Sequence, residues 1–174
     1  TINLGDGTSV RGVNTSGNDL TLDGTGRTAT TTITAPNTLL PLCNAGSIIR
    51  AVVCVDGGTV TTSDLVVDGN GQANINYTGG TSRFAGIAYF NAGGNVDNVE
   101  VKGVRDASFS GAQNGTAIAQ VNNDSVTRTF TIENSLIRDW QKGGLNIGWS
   151  AGGAPYDSNL TFNLTDTEIV GQGS

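Results

Sequence analysis

The sequence predicts an all-β protein, and more specifically a parallel β-helix in which short strands stack in successive coils. Two observations carry this prediction: the composition disfavours long helices, and short strand patterns recur along the chain. The 174 residues include 26 glycines, about twice the usual frequency, and glycine and β-branched residues are weak helix formers. Hydrophobic residues reach 36% and the net charge is −6, so we expect one folded domain with a core.

Repeated segments indicate the coil. The segment 18–26 (NDLTLDGTG) recurs at 63–71 (SDLVVDGNG), and apolar strands that end in Asp recur at Asp106 and Asp139. Self-similarity over tens of residues is typical of solenoid folds, because a single unit cannot bury its own apolar face.

A second motif supports the same period. The segment 86–91 (GIAYFN) is echoed at 117–122 (AIAQVN) and at 144–149 (GLNIGW). Alternating strands lie between these segments, at 99–101, 130–132 and 160–164. Three short strands with short connections predict coils of about 30 residues. The alternative is an antiparallel β-sandwich, whose turns every ~8 to 12 residues would not give this repeat.

We predict a single domain over 1–174, with regular coils over 59–174. Residues 1–58 match the repeat poorly and indicate irregular N-terminal coils or a cap. Within them, the stretch 38–55 reads as an insertion that contains both cysteines, and a short helix near 47–53 is compatible with it.

Cys43 and Cys54 are the two cysteines of the chain. A disulfide between them would close a loop of about ten residues and stabilise the fold by about 2 to 3 kcal/mol; two buried free thiols are the alternative. The even number and the polar Ser/Thr/Asn-rich sequence favour the disulfide, and with it an extracellular or cell-surface location.

The composition excludes several classes of function. The chain has no histidine, which removes Ser-His-Asp and Cys-His nucleophiles and histidine-based metal sites. Nine Lys and Arg residues against 15 Asp and Glu do not suit a nucleic-acid partner. The longest apolar stretch, 47–55, is too short to span a membrane and contains Arg50.

The segment 64–71 (DLVVDGNG), the segment 84–88 (FAGIA) with its Asn91, and the two coils that follow resemble the right-handed parallel β-helix proteins of the pectate-lyase-like group. The resemblance covers residues 59–173 and implies a right-handed coil. Polysaccharide-cleaving members of that group use a His-Gly pair with Arg-x-Lys, an Arg-x-Pro-x-x-Arg context or an Asp-Pro-His motif, and none of these occurs in this sequence. No catalytic residue can be carried over, which favours a role without catalysis; a Lys or Arg base beside an acid, for example Lys142 or Arg138 near Asp139, is the alternative.

Two sets of polar residues are predicted to stack on successive coils. Asn91 and Asn122 follow equivalent strands and would form a structural ladder, since Asn tolerates the left-handed backbone of tight corners. Asp68, Asp106 and Asp139 would line one edge. Such a row can bind Ca²⁺. The alternative is that these residues only form turns, where Asp followed by Gly is common. No cofactor other than Ca²⁺ is expected.

Three aromatic residues of the best repeats, Tyr89, Trp149 and Tyr156, are candidates for stacking against sugars, with core packing as the alternative. The missing catalytic groups and a final turn at 171–174 without an amphipathic cap favour a structural role. We therefore predict a secreted or cell-surface solenoid, such as a filament, sheath or adhesin subunit that self-associates through its ends. A polysaccharide-binding or degenerate polysaccharide-lyase-like domain is the alternative.

Overall fold

The structure is a computed structural model that describes residues 2–3, 13–14, 20–23, 31–43, 47–78, 83–149 and 159–171. Within them the chain forms one short helix, α1 (Ala73–Asn76), and a series of strands. The strands are β1 (Ile2–Asn3), β2 (Val13–Asn14), β3 (Leu20–Asp23), β4 (Thr32–Thr34), β5 (Ile49–Asp56), β6 (Thr59–Ser63), β7 (Val66–Asp68), β8 (Arg83–Phe90), β9 (Gly93–Asp97), β10 (Glu100–Lys102), β11 (Thr116–Val121), β12 (Arg128–Glu133), β13 (Leu136–Arg138), β14 (Gly143–Trp149), β15 (Leu160–Thr165) and β16 (Glu168–Val170).

These strands form three parallel sheets. Sheet A has the order β1-β3-β6-β9-β12-β15, sheet B the order β2-β5-β8-β11-β14, and sheet C the order β4-β7-β10-β13-β16. Each coil contributes one strand to each sheet, so that β11, β12 and β13 of one coil lie on β8, β9 and β10 of the coil before it. The predicted parallel β-helix is confirmed, and the antiparallel sandwich is wrong. The coils contain about 34 residues, slightly more than the predicted length.

The core forms because like residues stack from coil to coil. Ile87 pairs in register with Ile118, and Val101 pairs with Ile137. All four are fully buried in one continuous cluster. Burial of such side chains is worth about 1.5 to 3 kcal/mol each, which a single coil cannot obtain alone.

In each of the four coils whose corner between sheets A and C is described, the chain turns on one left-handed residue. These residues are Asp64, Asn98, Asn134 and Asp166, with φ between 46° and 56°. Asn and Asp are the non-glycine residues that tolerate this conformation. The Asn98 side-chain amide also donates to Asp64 Oδ1 at 2.6 Å, which joins neighbouring coils through a ladder that the sequence analysis missed.

The alignment of 18–26 with 63–71 is wrong. Asp23 pairs with Ser63 in sheet A, whereas Asp68 pairs with Lys102 in sheet C. The two segments share a strand-and-turn composition, but they turn at different corners of the coil. The strand 99–101 likewise belongs to sheet C, while 130–132 and 160–164 belong to sheet A.

The regular coils begin before residue 59. Strand β5 pairs with β8 from Ile49 to Asp56, so the short helix considered near 47–53 does not form. The valines of this segment suit a strand that is covered on both faces.

The predicted disulfide is confirmed: Cys43 and Cys54 are bonded, with their Cα atoms 5.5 Å apart. In the described part of the chain, no helix combines the length and apolar character that crossing a membrane would require.

Candidate functional site

A shallow groove lies on the outer face of sheet B. The side chains of this sheet divide between two clusters: Ile87 and Tyr89 belong to the interior, and Ala85 and Ala88 belong to a separate cluster on the other face. Ala88 stacks between Cys54 and Ala119 of the adjacent coils. Because these outward side chains are small, they leave a depression of about 240 Å³.

The groove is positively charged at its margin. Its lining contains two cations, Arg83 and Lys142, and no acidic residue. The Arg83 guanidinium lies 5.7 Å from the centre of the Tyr77 ring, and Lys142 Nζ donates to Gln113 Oε1. In a chain with a net charge of −6, this concentration of positive charge favours an anionic ligand over a cationic one.

The groove also contains polar groups that can bind a ligand. Thr116 and Asn146 supply a hydroxyl and an amide on neighbouring coils. Among the described residues, no group of three or more His, Cys, Asp or Glu side chains is placed to hold a metal ion. The groove therefore offers charge, hydrogen bonds and an apolar floor.

A second depression of about 440 Å³ lies beside sheet C and contains two of the predicted calcium residues. Asp68 Oδ2 lies 3.9 Å from Lys102 Nζ, and Asp139 Oδ1 accepts a hydrogen bond from Arg105 Nε at 2.6 Å. Each acid therefore faces a cation. We find that Arg105 acts as a counter-charge for Asp139, whereas Arg138 pairs with Glu100 through Nε at 2.7 Å.

The predicted row of Asp68, Asp106 and Asp139 does not form. Register places Asp68 on Lys102, and Asp106 faces Gln72 in an isolated antiparallel bridge. Asp106 belongs to the connection 103–115 and is buried, and it does not line the cleft that contains Asp68 and Asp139. The row is wrong because the three acids differ in position relative to their strands: Asp68 is the last residue of β7, Asp139 is the residue after β13, and Asp106 lies four residues past the end of β10.

The predicted asparagine ladder lies at the corner between sheets B and A. Phe90 pairs with Val121, so Asn91 and Asn122 occupy successive coils. Asn91 has a φ of 48°, and its Oδ1 accepts the backbone N–H of Asn123 at 2.7 Å. Asn122 is buried; its Nδ2 donates to the Val126 carbonyl at 3.3 Å, and its Oδ1 accepts from Arg128. The two side chains thus stabilise different parts of this corner.

Tyr89 is not a sugar-binding residue. Its side chain is fully buried, its ring centre lies 4.7 Å from that of Phe130, and its hydroxyl lies 3.0 Å from Thr62 Oγ1. Burial raises the pKa of the Tyr89 phenol well above its ordinary value, against a smaller opposing effect of the Thr62 hydrogen bond. Trp149 is the last residue of β14 and Tyr156 lies outside the described residues, so sugar binding by these two stays a prediction.

The sequence alone does not assign Arg83 and Lys142 to a ligand groove, and it offers Lys142 only as a candidate base near Asp139. Both lie close to the start of a strand of the second motif, Arg83 at the first residue of β8 and Lys142 just before β14. The alignment of this motif is correct in register up to Gln120 and Ile147, after which a bulge pairs Val121 with Trp149. The signal was therefore present: charges that precede equivalent strands meet at one end of a sheet.

Comparison with protein-family models, curated proteins and solved structures finds no match for this chain. The resemblance to the pectate-lyase-like group therefore stays a prediction, and the functional argument depends on the site and the solenoid themselves.

Proposed function

We propose that the chain is an extracellular structural β-solenoid that stacks end to end with further copies, as the subunit of a filament, sheath or adhesin does. The observation that carries this proposal is the apolar edge formed by β15 and β16. Leu164, Ile169 and Val170 are 46%, 40% and 41% exposed. In the preceding coil, Ile132 and Ile137 occupy the positions of Leu164 and Ile169, and both are fully buried.

One further coil would cover this edge. Strands β14, β15 and β16 each end a sheet, and β2, β1 and β4 end the same three sheets on the opposite side. A second copy placed in the same orientation would therefore bring three strands against three strands. Parallel edges carry backbone N–H and C=O groups that can pair with another strand, and a head-to-tail contact that does not close gives an open filament.

The disulfide supports the proposed location. Structural disulfides persist in oxidising compartments and are rare in the reducing cytosol. Cys54 is buried on the outer face of β5 and Cys43 packs against the same cluster, so the bond secures the segment before β5 to the solenoid.

The test is the assembly state of the full chain across concentration, measured by sedimentation velocity and electron microscopy. Ile169→Lys places a charge on the proposed interface, and Val126→Lys is the matched control because Val126 is 53% exposed in the connection between β11 and β12. We expect the wild type and Val126→Lys to form linear assemblies and Ile169→Lys to remain monomeric. A wild type that stays monomeric at high concentration, or assemblies unaffected by Ile169→Lys, would overturn the proposal.

A second candidate function is the binding of an acidic polysaccharide in the groove on sheet B. Arg83 and Lys142 at its margin, with no acid in the lining, favour carboxylated or sulfated sugars. We expect oligouronates to bind more tightly than neutral oligosaccharides, with affinity that falls as salt increases. Lys142→Ala would weaken binding, whereas Lys102→Ala, in the cleft where cations face acids, would not. Equal binding of neutral and acidic sugars would contradict this function.

A further inference from the structure

A buried carboxylate without a cationic partner lies in the connection 103–115 between β10 and β11. Asp106 is 6% exposed. In the described part of the chain, no Lys or Arg nitrogen lies within 4.0 Å of its carboxylate. A buried, uncompensated charge costs several kcal/mol, so the surroundings of Asp106 call for a compensating group.

The two carboxylate oxygens of Asp106 have different environments. Oδ2 accepts hydrogen bonds from the Ser110 hydroxyl and from Gln141 Nε2, the latter at 3.2 Å. Oδ1 is buried and has no hydrogen-bond partner. Ser110 and Gln141 therefore satisfy one oxygen, and the other has no hydrogen bond.

The residue opposite Asp106 offers a second unpartnered oxygen. Gln72 faces Asp106 in an antiparallel bridge, and residues that are directly opposite in such a bridge project to the same side. Gln72 Oε1 is buried without a partner. Its Nε2 donates to the Asn70 carbonyl at 2.9 Å, so flipping the amide to donate to Asp106 would break this hydrogen bond and set Oε1 against that carbonyl.

We propose that Asp106 Oδ1 and Gln72 Oε1 bind a hard cation, with Ca²⁺ as the first ion to test. Hard cations prefer carboxylate and amide oxygens, and a cation compensates the charge, which a neutral water does not. Arg105 does not fill this role, because its guanidinium is held by the Asp139 carboxylate and the carbonyls of Asp106 and Ala107. With one carboxylate, the site belongs to the weak, ~10⁻⁴ to 10⁻³ M class of extracellular calcium sites.

The competing occupant is a water molecule. A water would donate to Asp106 Oδ1 and Gln72 Oε1 and could accept from Asn114 Nδ2, which is also buried without a partner. Such a water requires no added ion, so the two occupants differ in a measurable way: a bound cation makes stability depend on cation concentration, and a water does not.

The experiment is thermal unfolding of the chelator-treated full chain in Ca²⁺, with Mg²⁺ and Na⁺ as parallel series. We expect ~10 mM Ca²⁺ to raise the Tm of the wild type by about 3 to 6 °C. Asp106→Asn removes the charge and should abolish the shift. Asp124→Asn is the matched control, since this carboxylate is paired with Arg128 in the connection between β11 and β12, and it should keep the full shift.

Gln72→Glu tests the same site by increasing its expected affinity for Ca²⁺. It sets a second carboxylate opposite Asp106, so we expect a lower Tm than the wild type without Ca²⁺ and a larger Ca²⁺-dependent shift. The proposal is overturned if none of the three cations changes the Tm of the wild type, if Asp106→Asn responds as the wild type does, or if Ca²⁺ fails to restore Gln72→Glu. The first of these outcomes would assign the position to water.

Discussion

Ile137 and Ile169 occupy the same position in successive coils, yet Ile137 is fully buried and Ile169 is 40% exposed. The same residue type in the same register therefore contributes differently to stability, and the difference arises from the presence or absence of a covering coil. Substitutions at Ile137 therefore measure the stability of the covered coils, and substitutions at Ile169 measure the contribution of the exposed edge.

We expect Ile137→Ala to lower the free energy of unfolding by about 2 to 5 kcal/mol, since it opens a cavity in the core. Ile169→Ala should cost about 1 kcal/mol or less in dilute solution, where its side chain is exposed on one side. Urea unfolding measures both. If the chain stacks end to end, the loss of unfolding free energy caused by Ile169→Ala should rise with protein concentration. An equal loss for Ile137→Ala and Ile169→Ala at low concentration would contradict the assignment of the exposed edge.

Gly94 should be the glycine of sheet A that tolerates substitution least. It has a φ of +128°, and a Cβ placed on it would lie 1.9 Å from the Val60 carbonyl oxygen in the strand below. We expect Gly94→Ala to cost more than about 3 kcal/mol or to prevent folding. Gly57→Ala is the control, because Gly57 has a φ of +75° but no atom within 4 Å of an added Cβ; it should cost only about 1 to 2 kcal/mol. Similar losses in urea unfolding would argue against this close approach of the strands.

Much of the architecture could be predicted because it repeats. The motif at 86–91, 117–122 and 144–149 stacks in register as far as the bulge after Gln120, since alternating apolar residues specify which side of a strand faces the core. The match of 18–26 to 63–71 failed because strands of sheets A and C have similar compositions, and composition alone does not identify the sheet. The length of the intervening connections decides this, and those connections do not repeat.

The candidate sites were less predictable for the same reason. Tyr89 could have been assigned to the core, because it lies two residues after Ile87 and therefore on the same face of β8. Gln72 and Asp106 could not have been brought together from the sequence, since their bridge joins two irregular connections. Residues in connections of unequal length meet through the path of the chain, which no local pattern encodes.

The disulfide should stabilise the chain through the segment that precedes β5. Cys43 also receives a backbone anchor, as its N–H donates to the Ile49 carbonyl at 2.8 Å. We expect reduction to lower the free energy of unfolding by about 2 to 3 kcal/mol. The double variant Cys43→Ala with Cys54→Ala should show a comparable loss and no response to reductant. If hydrogen exchange at 38–43 does not increase on reduction, the bond does not secure this segment.

Tyr89 should make the chain lose stability in alkaline solution. In the unfolded chain a tyrosine releases its proton near pH 10, whereas burial raises the pKa of Tyr89 in the folded state, so the folded chain keeps the proton longer. The free energy of unfolding is therefore unaffected by this group below about pH 10 and decreases above it, by up to about 1.4 kcal/mol per pH unit. Tyr89→Phe should make this decline less steep. The substitution also removes the hydrogen bond to Thr62, but that loss does not depend on pH in the same way. Tyr77→Phe is the control for the loss of one tyrosine. The comparison uses the slope of unfolding free energy against pH between 9 and 11, and parallel slopes for the wild type and Tyr89→Phe would show that the buried phenol does not govern alkaline unfolding.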